Sequence, residues 1–257
     1  MNKQTFLTLL ATFALLFSFT FSCHAKGKDK AKHVVFIGLD GWGAYSLPKA
    51  DMPNVKKLME DGSYTLKKRS ALPSSSAINW ASMFMGAGPE LHGYTEWGSK
   101  TPELPSRVLN KNGIFPTVFQ LLRDARPEAE IGCLYEWEGI KYLVDTLSLN
   151  YHYHVADCNK TPKELGNMSS SYIKEKHPAL VAICFDGPDH TGHTEGHDTP
   201  AYYEKLKELD SYVGQIVQAV KDAGMLDDTI FILTSDHGGI DKGHGGKLSL
   251  IHISEPT

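Results

Sequence analysis

Residues 33–41 have the sequence His33-Val34-Val35-Phe36-Ile37-Gly38-Leu39-Asp40-Gly41. The run is almost continuously apolar and stops abruptly at an acidic residue and a glycine. Such a run is typical of a parallel strand that is covered on both faces of its sheet. Three other runs share this pattern, and we predict buried strands at His33–Leu39, Glu130–Tyr135, Ala179–Phe185 and Thr229–Ser235. The alternation in Tyr151–His154 predicts a further, exposed strand.

Helical patterns alternate with these strands. Residues 201–223 carry apolar side chains at spacings of three and four and are followed by Gly224, a common helix end. Thr161-Pro162-Lys163-Glu164 is a capping box with proline at the first helical position, and Pro53–Asp61 is a shorter helical pattern. The alternation predicts an α/β fold, a three-layer sandwich with a mostly parallel central sheet, in a single domain.

The composition is that of an ordinary globular protein. Of 257 residues, 22% are charged and 41% are hydrophobic, which excludes a disordered chain and provides enough apolar side chains for a large core. The formal net charge is −4, and the sequence has no stripe of basic residues. We therefore expect no nucleic-acid-binding surface.

The two ends of the chain differ from the rest. Residues 1–25 resemble an export signal, with a lysine near the start, a long apolar stretch and small residues at the end. We therefore expect an exported protein, periplasmic or secreted, without membrane contact after signal removal. A membrane anchor or a lipoprotein at Cys23 is the less favoured alternative. Residues 248–257 resemble a translated sequencing-library adaptor, so we expect an artefact there and a domain at residues 26–247 that is incomplete at its C-terminus.

Acidic residues and histidines follow three of the predicted strands. Asp40 and Gly41 follow the first strand, residues 186–193 follow the third, and residues 235–239 follow the fourth. Because the carboxyl ends of parallel strands lie at one edge of the sheet, we expect these turns to converge there. Each turn alone is an ordinary surface feature, but three such turns after buried strands predict a shared binding site.

The residue types in these turns favour a metal ion. Asp189 and His193 are four residues apart, which places them on one face of a helical turn. Asp236 and His237 are adjacent and can both point out of the sheet edge if the turn is tight, as the two glycines after them allow. Mixed carboxylate and imidazole ligands suit zinc or a similar divalent ion better than magnesium or calcium.

A cluster of serines supplies a candidate nucleophile. The segment Pro73-Ser74-Ser75-Ser76-Ala77-Ile78-Asn79-Trp80 leads into an apolar run. A serine just before a helix is most often an N-cap, and this interpretation applies to all three serines. The same position aims helix N–H groups and the positive end of the helix dipole at an incoming anion. A hydroxyl there, next to a divalent ion, would ionise easily and become a nucleophile.

Taken together, these segments resemble the alkaline phosphatase superfamily, and most of all its nucleotide pyrophosphatase/phosphodiesterase branch. The segments that carry the resemblance are Leu39-Asp40-Gly41, Met52-Pro53-Asn54-Val55, Ser76-Ala77-Ile78-Asn79, Gly86-Ala87-Gly88-Pro89-Glu90-Leu91-His92-Gly93, Pro188-Asp189-His190-Thr191-Gly192-His193 and Ser235-Asp236-His237-Gly238. The resemblance implies an alkaline-phosphatase-like catalytic domain. It also implies hydrolysis of small-molecule phosphate esters or nucleotides with two divalent ions, usually zinc.

The resemblance further implies which residues hold the ions. The first ion would be bound by Asp40, Ser76, Asp236 and His237. The second would be bound by Asp189, His193 and a third histidine. We choose His244 as that third histidine, and the alternatives are His197 or a residue beyond the truncated end.

The resemblance implies that Ser76 and Asn79 take part in the reaction. Ser76 would attack phosphorus and form a phospho-serine, and the side-chain amide of Asn79 would bind a non-bridging phosphate oxygen. The phosphodiesterase branch usually has threonine as its nucleophile, whereas serine is typical of the phosphomonoesterase branch. Phosphodiesterase or pyrophosphatase activity is the first expectation and phosphomonoesterase activity the second. A non-catalytic, exported metal-binding protein is the alternative from another class.

Overall fold

A parallel sheet organises the fold in this computed structural model, which describes residues 31–155 and 162–244. Within those residues the strands are β1 His33–Leu39, β2 Ile131–Tyr135, β3 Tyr151–His154, β4 Leu180–Phe185 and β5 Thr229–Thr234. Their order is β3-β2-β4-β1-β5, and every neighbouring pair is parallel. Leu39 at the end of β1 pairs with Phe185 at the end of β4, so these two strands finish at the same level of the sheet.

Helices occupy the connections between the strands. They are α1 Pro53–Asp61, α2 Ser76–Met85, α3 Pro89–His92, α4 Val118–Ala125, α5 Pro162–Lys176, α6 Gly187–Glu195 and α7 Pro200–Asp222. The predictions of α1 and α7 from their apolar spacing are therefore confirmed to within a residue. The Thr161 end of the predicted capping box lies outside the described residues.

Two apolar cores cover the two faces of the sheet. On one face, Val35 and Ile37 of β1 belong to a cluster with buried side chains of α1, α5 and α7. On the other face, Ala182 of β4 belongs to a cluster with side chains of α2 and α4, including Trp80 and Phe119. Continuous apolar strands are what a sheet buried on both sides requires. The predicted three-layer α/β architecture is therefore confirmed.

The prediction that β5 is buried is wrong. Ile230 is 50% exposed and Ile232 is 42% exposed, although both are apolar strand residues. β5 lies at the edge of the sheet, and β1 is its only partner among the described strands. The alternate residues Phe231 and Leu233 line a cavity of about 930 Å³ on the other face. Burial of a strand depends on its neighbours, which the apolar composition of the strand does not reveal.

The termini that the sequence analysis singled out, residues 1–25 and 248–257, lie outside the described residues. The described residues from Lys32 onward pack into one unit. In residues 31–155 and 162–244, every helix is either too short or too polar to cross a membrane.

Candidate metal centre

The turns after β1, β4 and β5 meet at the carboxyl edge of the sheet. Asp40 directly follows β1, Asp236 and His237 follow β5, and α6 places Asp189 and His193 after β4. Two groups of three residues that combine carboxylates with histidines form there, and in each the potential ligand atoms all lie within 4.8 Å of one another. The first group is Asp40, Asp236 and His237, and the second is Asp189, His193 and His244.

The carboxylates of the first group each use one oxygen for the protein. Asp40 Oδ2 accepts a hydrogen bond from the indole N–H of Trp80 at 2.9 Å, and Asp236 Oδ1 accepts from the backbone N–H of Gly41 at 3.1 Å. The other oxygens, Asp40 Oδ1 and Asp236 Oδ2, are buried and have no hydrogen-bond partner among the described residues. Buried carboxylate oxygens without a donor are costly unless a cation satisfies them.

His237 completes the first group with a lone pair. Its Nδ1 lies 2.9 Å from the carbonyl oxygen of Gly238, so Nδ1–H donates there and Nε2 is the acceptor of a neutral ring. Nε2 lies 3.4 Å from Asp40 Oδ1, 3.2 Å from Asp236 Oδ2 and 3.2 Å from Ser76 Oγ. Burial lowers the pKa of His237, which favours the neutral ring. A divalent cation fits this set of acceptors.

The electrostatics of the first group also favour a bound cation. Burial is the main cause that raises the pKa of Asp40, and the neighbouring carboxylates of Asp236, Asp189 and Asp186 raise it further. Several carboxylates at one buried position repel one another, and a bound cation would relieve that repulsion. The potential ligand atoms of Asp40, Asp186 and Asp189 also lie within 4.8 Å of one another, so the two groups are adjacent.

In the second group, as at His237, each imidazole turns its Nδ1 toward a backbone carbonyl oxygen. His193 Nδ1 lies 2.9 Å from the carbonyl oxygen of Lys242, and His244 Nδ1 lies 3.2 Å from that of Ser74. His193 Nε2 lies 3.2 Å from Asp189 Oδ2, and His244 Nε2 lies 3.0 Å from Asp189 Oδ1. Metal-binding histidines commonly donate their other ring nitrogen to a backbone carbonyl in this way.

Asp189 is the electrostatic centre of the second group. Burial alone would raise its pKa, but the imidazoles of His193, His197 and His244 outweigh burial and lower it. The carboxylate in turn raises the pKa of His193 to about 9. His197, the alternative third histidine, has its Nε2 3.8 Å from Asp189 Oδ1, farther than either His193 or His244. The structure brings His244, and not His197, into the ligand group.

Gly41 connects the two groups. Its φ is +67°, which favours glycine, and a Cβ at this position would lie 2.7 Å from Asp189 Oδ1. Its N–H holds Asp236, and its carbonyl oxygen accepts from the hydroxyl of Tyr202 at 2.7 Å. The turn after β1 can therefore pass between the two ligand groups only because residue 41 has no side chain.

Ser76 is the first residue of α2, and its hydroxyl faces the first group. The N-cap is Ser75, whose side chain makes no capping hydrogen bond. The N-cap interpretation therefore does not account for Ser76. Its Oγ lies at the positive end of the helix dipole and 3.2 Å from His237 Nε2.

The Asn79 side chain supports the loop before the helix. Its Oδ1 accepts from the backbone N–H of Ala71 at 2.6 Å, and its Nδ2 donates to the carbonyl oxygens of Ala71 at 3.3 Å and Ser75 at 3.1 Å. To bind a phosphate oxygen, as the sequence analysis expects, the amide would have to give up one of these contacts.

Trp80 contacts the first group, although the residue pattern did not single it out. Trp80 fixes Asp40 through its indole N–H, and Gly38 of β1 makes room for its ring, since a Cβ there would lie 2.2 Å from it. The spacing contains a usable signal, because residue 80 is four positions after Ser76 and lies on the same face of α2.

The family model described as type I phosphodiesterase / nucleotide pyrophosphatase matches residues 34–242. The chain is 25% identical over 222 residues to Bis(5'-adenosyl)-triphosphatase enpp4 of Mus musculus, and this match covers 82% of the chain. It covers 48% of that relative, so the chain spans about half of the relative's length.

Two solved structures illustrate the fold. Murine ectonucleotide pyrophosphatase / phosphodiesterase 5, solved as an inactive variant in complex with AMP, has a TM-score of 0.65 at 19% identity and is matched over 80% of this chain and 57% of its own. A 2-O GAG sulfatase has a TM-score of 0.64 at 12% identity, over 84% of this chain and 61% of its own. At these identities the likeness shows a common fold.

Proposed function

Because the chain belongs to the type I phosphodiesterase / nucleotide pyrophosphatase family, we propose that it hydrolyses phosphodiester or pyrophosphate bonds in small molecules, nucleotides among them. The observation that carries this proposal is the position of Ser76 Oγ, 3.2 Å from His237 Nε2 in the first of two adjacent groups of converging acceptors. A hydroxyl at a helix N-terminus and beside such groups is suited to attack an anionic ester.

We propose that each of the two groups holds one divalent ion, and that this ion is zinc. Asp40, Asp236, His237 and the Ser76 hydroxyl would hold the first, and Asp189, His193 and His244 would hold the second. Imidazole nitrogens together with carboxylate oxygens are a donor set that zinc accepts readily. Bound there, such ions supply Lewis acidity, which favours the ionised serine and neutralises charge on the reacting phosphate.

In the reaction that we propose, Ser76 Oγ forms a bond to phosphorus as the bond from phosphorus to the leaving oxygen breaks. The leaving group departs as an alcohol or a phosphate, and the rest of the substrate stays on Ser76 as a phospho-serine. Water then attacks the same phosphorus, which frees Ser76 and releases the second product as a phosphate monoester.

The residues around Ser76 position the substrate in this proposal. The N-terminus of α2 contributes the positive end of its dipole to the non-bridging oxygens. Asn79 is proposed to exchange one of the two backbone contacts of its Nδ2 for a phosphate oxygen, and until then it keeps the loop at Ala71 and Ser75 in place.

We also propose that the protein is exported, on the basis of the signal-like pattern in residues 1–25. The substrate would then be a phosphate ester outside the cytoplasm.

The test is a comparison of two substrates on the zinc-loaded full chain, a bis-aryl phosphate diester and the aryl monoester. We expect the diester to be preferred, and Ser76→Ala to lower its turnover by about 10³-fold or more. Ser75→Ala is the matched control, because the Ser75 side chain makes no capping hydrogen bond. It should leave turnover within about twofold of wild type.

The other outcomes separate the alternatives. A preference for the monoester, abolished by Ser76→Ala, would assign the protein to phosphomonoester hydrolysis with the same site. Failure of a folded, zinc-bound chain to turn over either substrate would favour the non-catalytic metal-binding protein.

A further inference from the structure

Glu136 is a buried carboxylate close to the metal centre but outside both ligand groups. It follows the last residue of β2 and is 4% exposed. Its backbone N–H donates to the carbonyl oxygen of Cys184 in β4 at 3.1 Å, so the residue lies at the carboxyl edge of the sheet. Neither the motifs of the sequence nor the proposed reaction gives it a role.

The side chain of Glu136 reaches the beginning of α6. That helix has Asp186 as its N-cap, and the Asp186 side chain makes no capping hydrogen bond. Instead, Glu136 Oε2 accepts from the backbone N–H of Asp186 at 2.7 Å, and the carboxylate also accepts from the backbone N–H of Gly187. The cap of α6 is therefore supplied by the neighbouring strand.

A cap from outside the helix fixes the helix relative to the sheet. The first N–H groups of a helix have no partner within it, and a carboxylate there also faces the positive end of the helix dipole. α6 contains only nine residues, and two of them are Asp189 and His193. A shift of the start of α6 would therefore move both residues relative to His244, which the helix does not carry.

We propose that Glu136 is a positioning residue for the second ion, which sets the placement of Asp189 and His193 by capping α6 from β2. This inference rests on the proposed function, since it assumes that Asp189, His193 and His244 bind an ion. It predicts that loss of the cap weakens binding of one ion and leaves the ion at Asp40, Asp236 and His237 in place.

The fold contains a matched control for this cap. Asp210 of α7 is 2% exposed and accepts from the backbone N–H groups of Asn54 at 3.0 Å and Val55 at 2.8 Å. Those N–H groups begin α1, whose own N-cap residue, Met52, makes no side-chain capping hydrogen bond. Asp210 thus caps a helix from outside that helix, as Glu136 does, but α1 carries none of the proposed ligands.

Conservative variants of Glu136 separate the reach of the side chain from its ability to ionise. Burial raises the pKa of Glu136 to about 8, and the Asp186 and Gly187 N–H groups act in the opposite direction. Glu136→Gln keeps the length of the side chain and a carbonyl oxygen for the two N–H groups, so it should preserve the cap. Glu136→Asp keeps the carboxyl group but is one methylene shorter, so it should not reach them. Glu136→Ala removes the acceptor altogether.

The experiment is a titration of the full chain with zinc in competition with a chromophoric chelator, together with thermal unfolding of each variant. We expect Glu136→Asp and Glu136→Ala to weaken one of two zinc affinities by about 10- to 100-fold, the size usual for partners that orient metal ligands. Glu136→Gln should stay within severalfold of wild type. Asp210→Ala should lower the unfolding temperature and leave both zinc affinities as in wild type.

Two results would overturn the inference while leaving the proposed function intact. One is that Glu136→Asp and Glu136→Ala, in folded protein, bind two zinc ions as tightly as wild type. The other is that Asp210→Ala weakens zinc binding as much as Glu136→Ala, which would mean that general destabilisation is the cause. If the folded wild-type chain binds no zinc, the proposed function fails and this inference fails with it.

Discussion

The Nε2 atoms of His193 and His244 lie 3.0 Å apart, and the Nδ1 atom of each ring faces a backbone carbonyl oxygen. When both Nδ1 atoms carry the hydrogen, two neutral rings present lone pairs to each other and to the Asp189 carboxylate. Such an arrangement is stable only with a positive charge among the acceptors, either a proton or a metal ion. It is the clearest feature of the second ligand group.

The first prediction follows from this pair. His244→Ala removes one ligand of the second group and leaves the first group intact, so the bound zinc should fall from two ions to one per chain. Elemental analysis of the purified protein measures this. His152→Ala is the control, because His152 is an exposed histidine in the edge strand β3, and it should leave the zinc content unchanged. Equal zinc contents in both variants would contradict the assignment.

The second prediction concerns the glycine between the two groups. Gly41→Ala would require an alanine at φ +67° with its Cβ 2.7 Å from Asp189 Oδ1. We expect it to displace Asp189 and to lower zinc binding and turnover together. Gly113→Ala isolates the backbone effect, because Gly113 has φ +80° and a Cβ there would meet no atom within 4 Å.

Both glycine variants should lose about 1–2 kcal/mol of unfolding free energy from the left-handed conformation. Only Gly41→Ala should also lose zinc, as measured by chemical denaturation and zinc titration of the same samples. A Gly41→Ala protein that binds zinc normally would show that the close approach to Asp189 is unimportant.

The third prediction concerns the indole that holds Asp40. Trp80→Phe keeps an aromatic ring against Gly38 but removes the N–H that donates to Asp40 Oδ2 at 2.9 Å. We expect diester turnover to fall by about 10- to 100-fold, because Asp40 loses the donor that orients it.

Trp42→Phe is the matched variant for that substitution. The indole nitrogen of Trp42 is buried and has no hydrogen-bond partner among the described residues, so its removal deprives no acceptor. Turnover should remain near the wild-type value. If both variants lost activity to the same extent, packing of the ring rather than the hydrogen bond to Asp40 would be the cause.

The bounds of the first strand and of the long helix could be predicted from the sequence because they depend on local pattern. The apolar run His33–Leu39 has the same bounds in the sequence prediction and in the structure. The spacing in residues 201–223 likewise predicts α7, since the buried face of a helix repeats every three to four residues. The turns after three strands converge because parallel strands end at one edge of a sheet.

Features that depend on which elements are neighbours could not be predicted. The order β3-β2-β4-β1-β5 leaves β5 at the edge, and its half-exposed isoleucines follow from that position. Glu136 was overlooked for the same reason, because it caps α6 only where β2 and β4 are adjacent. The contacts of Asn79 with Ala71 and Ser75 depend on the path of a loop, which a residue pattern does not determine.

The most direct test of the central claim is to locate the bound ions. That claim is that two groups of carboxylates and imidazoles at one sheet edge hold two zinc ions beside Ser76. The measurement is anomalous diffraction at the zinc absorption edge from crystals of the zinc-loaded full chain. We expect two strong peaks, one in contact with Asp40, Asp236 and His237, and one in contact with Asp189, His193 and His244. Peaks at other residues only, or none at these two groups in zinc-saturated crystals, would contradict it.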